Sequence, residues 1–246
     1  MSNKTVIVTG ASSGLGFAIA KAYLARGYNV VGNARTQERL DQAALAFGET
    51  KGKFVAVAGD IASPETARKL FATAIDSFGK VDILINNAGI FIAKPLVEYS
   101  EDDLESIVAT NIKGFFYPSQ EAARHMAANK DGHIVTITAS LGMQPNRKVP
   151  ALLPVLIKGG LNQATRALSI ELSTSNVRVN AVAPGIIATP LHGSKPETLA
   201  ALKSLTASGE IGKAEDIVDA VLYLTDSSYT SGLVMNVDGG SSSGTW

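Results

Sequence analysis

The stretch Thr9-Gly10-Ala11-Ser12-Ser13-Gly14-Leu15-Gly16 decides the fold of this chain. It follows the β-branched run Thr5–Val8, which is typical of a fully buried parallel strand. Apolar residues then recur at helical spacing as far as Gly27. Glycines let the backbone approach a pyrophosphate, and free N–H groups at a helix start complement its charge. The sequence of strand, glycine turn and helix therefore predicts a dinucleotide-binding turn.

Composition narrows the class of protein. Among 246 residues, 46% are hydrophobic and 18% are charged, which favours a well-buried core over disorder. Lys plus Arg equals Asp plus Glu at 22 each, so no basic field indicates nucleic acid as a partner. The absence of cysteine excludes disulfides, thiol catalysis and zinc–thiolate sites, and we predict no metal site.

The same sequence predicts neither a membrane span nor a secretion signal. No apolar run approaches the length that is needed to cross a bilayer. The first strand begins within about five residues of Met1, which leaves no room for a signal peptide. We therefore expect a cytoplasmic protein with a small-molecule substrate and no membrane partner.

Further along the chain, strand and helix patterns alternate. The predicted strands are Thr5–Val8, Asn29–Ala34, Phe54–Ala58, Asp82–Ile85, His133–Thr138, Val177–Val182 and Leu233–Val237. The predicted helices include Arg39–Phe47, one from Pro64 to about Phe78 with Ser63 as N-cap, one after the Ser100/Asp103 capping box, Asn111–Ala128, one through Leu156–Leu172, and Ala214–Leu224. This alternation predicts a Rossmann-like, doubly wound, seven-stranded parallel α/β sheet, and residues 1–246 form one domain.

Residues 186–212 interrupt this alternation. They are rich in Ser, Gly and Thr, with a short helix near Thr198–Leu205. Irregular segments of this length are commonly functional lids, so we expect a mobile substrate loop. His192 lies in this loop and is either a proton donor or an ordinary surface histidine.

The end of the second strand informs the choice of cofactor. A dinucleotide fold usually places an acid about 20 residues after the glycines, where it binds the adenosine ribose. Here that position is Ala34, and Arg35 follows. Because a guanidinium pairs with a 2′-phosphate and no carboxylate repels it, the sequence favours NADP(H), unless Arg35 is merely solvated.

Several motif residues lie at the carboxyl ends of predicted strands: Gly10, Arg35, Asp60, Asn87 and Thr138. Ligands of parallel sheets bind beyond the carboxyl ends of the strands, so one cleft should collect them.

Together these motifs resemble the short-chain dehydrogenase/reductase family. The resemblance rests on the Thr9–Gly16 turn, Asp60, Asn86-Asn87-Ala88-Gly89, Asn111, Lys158, Pro184-Gly185 and Asp238-Gly239-Gly240, and it covers essentially the whole chain. It implies that the turn holds the pyrophosphate, that Asp60 contacts adenine, and that the Asn87 segment supports the adenosine ribose. The implied cofactor-binding residues are Gly10, Ser12, Ser13, Gly14, Leu15, Gly16, Arg35, Asp60, Ile61, Asn87, Ala88, Gly89, Lys158, Ile187 and Thr189.

The resemblance implies an Asn-Ser-Tyr-Lys catalytic set, of which Asn111 and Lys158 match. The tyrosine, which would be the general acid, belongs four residues before the lysine, where this chain has Pro154. Pro154 has neither a polar side chain nor a backbone N–H, and is tolerable near the start of a helix. The serine position aligns with Ala139, although a shifted register would let Ser140 or Thr138 replace it.

Three functions remain open. One is an NADP(H)-dependent oxidoreductase that acts on a carbonyl or secondary alcohol with a modified proton relay. Positioning of the hydride donor and acceptor supplies roughly 7–11 kcal/mol, so loss of the tyrosine need not abolish hydride transfer. The others are a cofactor-binding pseudo-enzyme, acting as a sensor or partner subunit, and a non-redox enzyme that uses the same cleft.

Two further expectations concern partners. Arg147 and Lys148 would either contact an acidic substrate or be solvated. The resemblance also implies a homotetramer built partly on the helices near Asn111–Ala128 and Pro154–Ser173.

Overall fold

The fold is described from a computed structural model, which describes residues 3–189 and 196–244. The predicted seven-stranded parallel sheet is confirmed, and its strands run in the order β3-β2-β1-β4-β5-β6-β7. Its strands are β1 (Thr5–Thr9), β2 (Asn29–Ala34), β3 (Phe54–Ala58), β4 (Ile83–Asn86), β5 (Gly132–Ile137), β6 (Val177–Pro184) and β7 (Val234–Val237). The order reverses between β1 and β4, which is where ligands bind in such sheets.

Helices cover both faces of the sheet. They are α1 (Gly14–Ala25), α2 (Gln37–Phe47), α3 (Pro64–Phe78), α4 (Glu101–Ile107), α5 (Gly114–Asn129), α6 (Leu152–Glu171), α7 (Pro196–Lys203) and α8 (Ala214–Asp226). One apolar core lies between the sheet, α1 and α8, and a second lies between the sheet, α3 and α5. Among the described residues, no helix is long and apolar enough to cross a membrane.

Most predicted boundaries agree with the structure to within two residues, and the caps explain several of them. Ser63 caps α3 with Pro64 in its first turn, and the Ser100/Asp103 capping box opens α4, both as predicted. The prediction of one helix from Asn111 to Ala128 is wrong at its start. Val108–Lys113 form a π-helical turn, and α5 begins at Gly114.

A buried histidine couples the stability of this fold to pH. His133 on β5 is 1% exposed. Asn180 accepts the Leu233 N–H through Oδ1, so its Nδ2 donates to His133 Nε2 at 3.0 Å. Burial, and then the positive charges of Arg178 and Lys4, hold the pKa of His133 well below its usual range. His133 is therefore neutral in the folded chain and must stay neutral as the pH falls.

We expect acidification to destabilise the fold through His133. In the unfolded chain the histidine titrates near pH 6.5 and gains a proton below that pH, whereas the folded chain keeps it neutral. The free energy of unfolding is therefore unaffected by His133 above pH 6.5 and falls below it, by about 1.4 kcal/mol per pH unit. Urea unfolding at pH 7.5 and 5.5 should show a larger fall in the free energy of unfolding for the wild type than for His133→Gln. Equal falls in both proteins would contradict this origin of the acid sensitivity.

Candidate functional site

A cleft of about 830 Å³ opens at the carboxyl ends of the strands. The residues predicted to share one cleft all line it: Gly10, Arg35, Asp60, Asn87 and Thr138. The parallel arrangement of β1 to β5 brings these strand ends to one edge of the sheet, although the residues are far apart in sequence.

The glycine turn between β1 and α1 forms the floor of the cleft. Gly10 and Gly14 have φ of 69° and 55°, a backbone region that favours glycine. At Gly16 a Cβ atom would overlap the Gly10 carbonyl oxygen and the Asn87 amide nitrogen. The first turn of α1 therefore packs directly on the loop and on the Asn87 side chain.

Hydrogen bonds tie this turn to the end of β4. Asn87 Nδ2 donates to the carbonyl oxygens of Thr9 (2.9 Å) and Gly10 (3.3 Å). Thr9 Oγ1 in turn accepts the backbone N–H groups of Asn87 and Ala88, each at 3.0 Å. The Asn87 segment thus holds the shape of the glycine turn as well as lining the cleft.

Two arginines border the cleft beyond β2. Arg35 follows the strand, and Arg39 lies in the first turn of α2; both are exposed and both line the cleft. The prediction that α2 starts at Arg39 is wrong by two residues, because Thr36 is the N-cap and Gln37 begins the helix. This earlier start gives the cleft its second guanidinium, which the sequence reading did not single out.

Asp60 lies across the cleft from the glycine turn, after β3. Its side chain is exposed, and Oδ1 accepts the Ala62 N–H at 3.0 Å. Asn33 supports this edge, because its Nδ2 donates to the carbonyl oxygens of Val57 (3.1 Å) and Gly59 (3.0 Å).

Lys158 projects from α6 into the opposite end of the cleft. Its Nζ donates to the Ile137 carbonyl oxygen at 3.0 Å, where β5 ends. Gly142 packs closely on this side chain, since a Cβ on it would lie 2.9 Å from Lys158 Cβ. Gly89 lies beside Nζ, where a Cβ would be at the ordinary contact distance of 3.6 Å. Desolvation lowers the pKa of Lys158 to about 8.

Asn111 sits behind the cleft wall rather than in it. Its side chain is 3% exposed and clamps the Ile90 backbone, accepting the N–H through Oδ1 and donating to the carbonyl through Nδ2, both at 3.0 Å. The π-helical turn brings Asn111 to this position. Oδ1 has a second lone pair, which remains available to accept a hydrogen bond from water.

Thr138, Ala139 and Ser140 all line the cleft after β5. Thr138 is 4% exposed, and its Oγ1 donates to the Val182 carbonyl oxygen at 3.3 Å, so its hydroxyl is committed to the sheet. Ser140 opens a 3₁₀ turn that ends at Gly142. Among the described residues, none is hydrogen bonded to the Ser140 hydroxyl.

Pro154 lies in the first turn of α6 and is buried. The first intrahelical bond beyond it runs from Val155 N–H to Ala151 O at 2.9 Å, so the missing N–H interrupts no helical bond. Pro154 does not belong to the lining of the cleft. The preceding loop contributes Gln144, Asn146 and Val149 to that wall.

The structure places the other predicted residues as follows. Ser12, Ser13, Leu15, Ile61, Ala88, Gly89, Ile187 and Thr189 line the cleft, whereas Gly16 and Asn111 support it from behind. Arg147 and Lys148 are exposed and outside the cleft lining. His192 lies outside the described residues. Leu202, Leu205 and Ser241 were not singled out, yet they line the cleft because the chain folds back over it.

Comparison with known proteins agrees with this architecture. Residues 4–200 match the family model of the short chain dehydrogenases. The chain belongs to the short-chain dehydrogenase/reductase family. It is 34% identical to the 3β-hydroxysteroid dehydrogenase 1 of Eggerthella lenta, over 98% of this chain and 94% of that protein. It is 30% identical to the 3-oxoacyl-[acyl-carrier-protein] reductase of Thermotoga maritima, over 98% of each.

Solved structures give the same result. A short-chain type dehydrogenase/reductase from Mycobacterium marinum superposes with a TM-score of 0.91 at 30% identity, over 98% of this chain and 96% of that one. Two similar structures contain cofactors. The 3-ketoacyl-(acyl-carrier-protein) reductase of Brucella melitensis was solved with NADH (TM-score 0.88, 27% identity, 98% and 99% covered). ElxO was solved with NADP (TM-score 0.90, 26% identity, 99% and 100% covered).

Proposed function

We propose that this chain is an NADP(H)-dependent oxidoreductase that acts on a carbonyl or secondary alcohol through a modified proton relay. The observation that carries the proposal is the cleft itself, in which a glycine turn, two arginines and a desolvated lysine lie at the switch point of the sheet. The relatives named above include dehydrogenases and reductases, which supports hydride transfer as the reaction class.

The cofactor would lie along the cleft, where it supplies the hydride or accepts it. The glycine turn would hold the pyrophosphate, Asp60 with Ile61 the adenine, and the Asn87-Ala88-Gly89 segment the adenosine ribose. Ile187 and Thr189 would receive the carboxamide, and Lys158 the second ribose. The positive φ of Gly10 and Gly14 and the packing at Gly16 support this fit, because side chains at Gly10 and Gly16 would collide with the Asn87 segment and displace the turn that a phosphate would approach.

Arg35 and Arg39 favour NADP(H) over NAD(H). Both guanidiniums reach the cleft beyond β2, where the adenosine 2′ position would lie. A phosphate there would accept charge-assisted hydrogen bonds from either residue. The known structures of similar chains include both cofactors, so this choice depends on the arginines of this chain.

The modified relay would use the groups that remain near Lys158. Ser140 offers a hydroxyl at the cleft wall to bind the reacting oxygen. Asn111 fixes the Ile90 backbone and would hold a water through its second Oδ1 lone pair. That water and the Lys158 ammonium would deliver the proton in place of a phenol. General acid–base help of this kind is worth about 10²–10⁴ in rate.

Three further proposals accompany this one. The segment 186–212 would close over the substrate, since Leu202 and Leu205 already line the cleft. A homotetramer would use α5 and α6, whose outer faces expose Phe116 (52%) and Leu156 (65%). The substrate would be a small molecule that the chain binds in the cytoplasm.

The three candidate functions differ in what they do with NADPH. We expect calorimetry to show NADPH binding tighter than NADH, and a panel of ketones and aldehydes to include compounds that oxidise bound NADPH. A pseudo-enzyme would bind NADPH and oxidise it with none of them. If an Ala139→Ser/Pro154→Tyr variant reduces generic ketones and the wild type reduces none, the result would favour the pseudo-enzyme. A product that is isomerised or dehydrated without net NADPH change would favour the non-redox enzyme. No NADPH uptake at all would overturn the proposal.

A further inference from the structure

The Lys158 amine occupies an unusual position for a lysine. Its Nζ is held at one point, by the hydrogen bond to the Ile137 carbonyl oxygen. The Gly89 backbone is next to it and carries no side chain that would cover it. Since Lys158 also lines the cleft, the side of Nζ that is not bonded to Ile137 is accessible to a small molecule.

No negative charge stabilises the Lys158 ammonium. Throughout residues 3–189 and 196–244, no carboxylate forms an ion pair with Lys158. Among the described residues of the cleft lining, Asp60 is the one carboxylate, and it accepts the Ala62 N–H. Desolvation is the cause of the lowered pKa of about 8. A lysine that is desolvated in this way is a nucleophile near neutral pH.

Among the nucleophilic groups around the cleft, the Lys158 nitrogen is the one best suited to bind a small molecule covalently. The sequence has no cysteine, and the Thr138 hydroxyl is bonded to the sheet. The Ser140 hydroxyl also lines the cleft, but an alcohol holds an aldehyde only as a reversible hemiacetal, which borohydride does not fix. One turn before Lys158, Pro154 offers neither a hydroxyl nor an N–H. The cleft lining also includes the apolar side chains of Leu141 and Ile90.

We propose that, in the nucleotide-free protein, Lys158 is a covalent capture site for small aldehydes, which it binds as an imine. The Nζ lone pair attacks the carbonyl carbon, and the C=O electron pair takes a proton to give a carbinolamine. Loss of its hydroxyl as water forms the C=N bond, so one aldehyde is consumed, one water is released, and nothing is oxidised or reduced. This amine chemistry is additional to hydride transfer and needs no nicotinamide.

The test is selective trapping on the full chain. Nucleotide-free protein is equilibrated with benzaldehyde at pH 7 to 9, treated briefly with borohydride to reduce any imine, and analysed by intact mass and peptide mapping. At pH 7 a lysine of pKa about 8 has on the order of a hundredfold more neutral amine than an ordinary lysine. We expect a benzyl group at Lys158, at least tenfold ahead of any other lysine. Peptide mapping separates it from label at the α-amino group, which titrates near pH 8 in an ordinary chain.

The pH dependence separates this site from surface labelling. Trapping at Lys158 should approach its plateau by pH 9, whereas trapping at exposed lysines should still be rising about tenfold per pH unit there. Lys158→Arg should lose the benzyl group at this position, and Lys69→Met, an exposed position on α3, should keep it. Label spread evenly over the lysines, or a Lys158 label that rises with the exposed ones, would overturn the proposal. Both outcomes are read on the wild type, so they do not depend on the variants folding.

NADP⁺ distinguishes this inference from the proposed function. If the cofactor lies over Lys158 as proposed, NADP⁺ should protect the amine from benzaldehyde. Selective labelling that NADP⁺ leaves unchanged would retain the imine site and count against the cofactor position. Absence of selective labelling in a chain that binds NADPH in calorimetry would overturn the imine site alone.

Discussion

Replacing Arg35 and Arg39 together with alanine is expected to weaken NADPH binding by about 10²–10⁴-fold and to leave NADH binding within a factor of three. Each guanidinium would donate a charge-assisted hydrogen bond to the 2′-phosphate, worth about 1.5–3 kcal/mol. NADH lacks this phosphate and so loses little when the arginines are removed. Calorimetric titration of NADPH and NADH into the wild type and the double variant gives the change in each affinity.

A matched control is available on the opposite face of the sheet. Arg68 on α3 is exposed and pairs with Glu65 at 2.7 Å, away from the cleft. Arg68→Ala removes one guanidinium from an exposed helix position. It should leave the affinities for NADPH and NADH unchanged. If the double variant weakened NADH as much as NADPH, the arginines would be general contributors to the cleft, and the preference for NADP(H) would have to be abandoned.

The two arginines also show how far sequence reasoning extends. Arg35 is found by counting from the glycines, because the length of strand, turn and helix in such a unit is nearly constant. Arg39 is missed because its position depends on where α2 starts. Thr36 acts as N-cap without a side-chain hydrogen bond, so the sequence carries little signal for that boundary.

Around Lys158, too, some residues can be predicted from the sequence and others cannot. Asn111 and Lys158 are predicted from the family resemblance, and the glycine turn from its strand and helix. The π-helical turn at Asn111 leaves no periodic signature, because one extra residue per turn is a local change in hydrogen bonding. The contributions of Gln144, Asn146 and Ser241 depend on contacts between distant segments. Asn146 Nδ2 reaches the Leu205 carbonyl oxygen (3.3 Å), and Ser241 Oγ accepts the Ala207 N–H (3.2 Å). No local pattern encodes such contacts.

The largest single-residue effect is expected at the glycine turn. Gly16→Ala places a methyl group against the Gly10 carbonyl oxygen and the Asn87 amide, neither of which is the free end of a flexible chain. To relieve the overlap, the turn must move away from β4 or α1 must shift outward. Either movement displaces the N–H groups at the start of α1, so NADPH affinity should fall by at least about 10²-fold, since misplacement by about 1 Å can have that effect.

Gly160→Ala provides the control for this prediction. Gly160 is exposed within α6, and a Cβ there would meet nothing within 4 Å. Alanine in a helix interior is favoured over glycine by roughly 0.5–1 kcal/mol, so this variant should match or exceed the wild-type melting temperature. Measured side by side, Gly16→Ala should lose NADPH binding in calorimetry and the thermal stabilisation that NADPH gives. A Gly16→Ala protein that binds NADPH as the wild type does would show that the turn is not where the phosphates bind, because the overlap cannot be relieved without moving that turn.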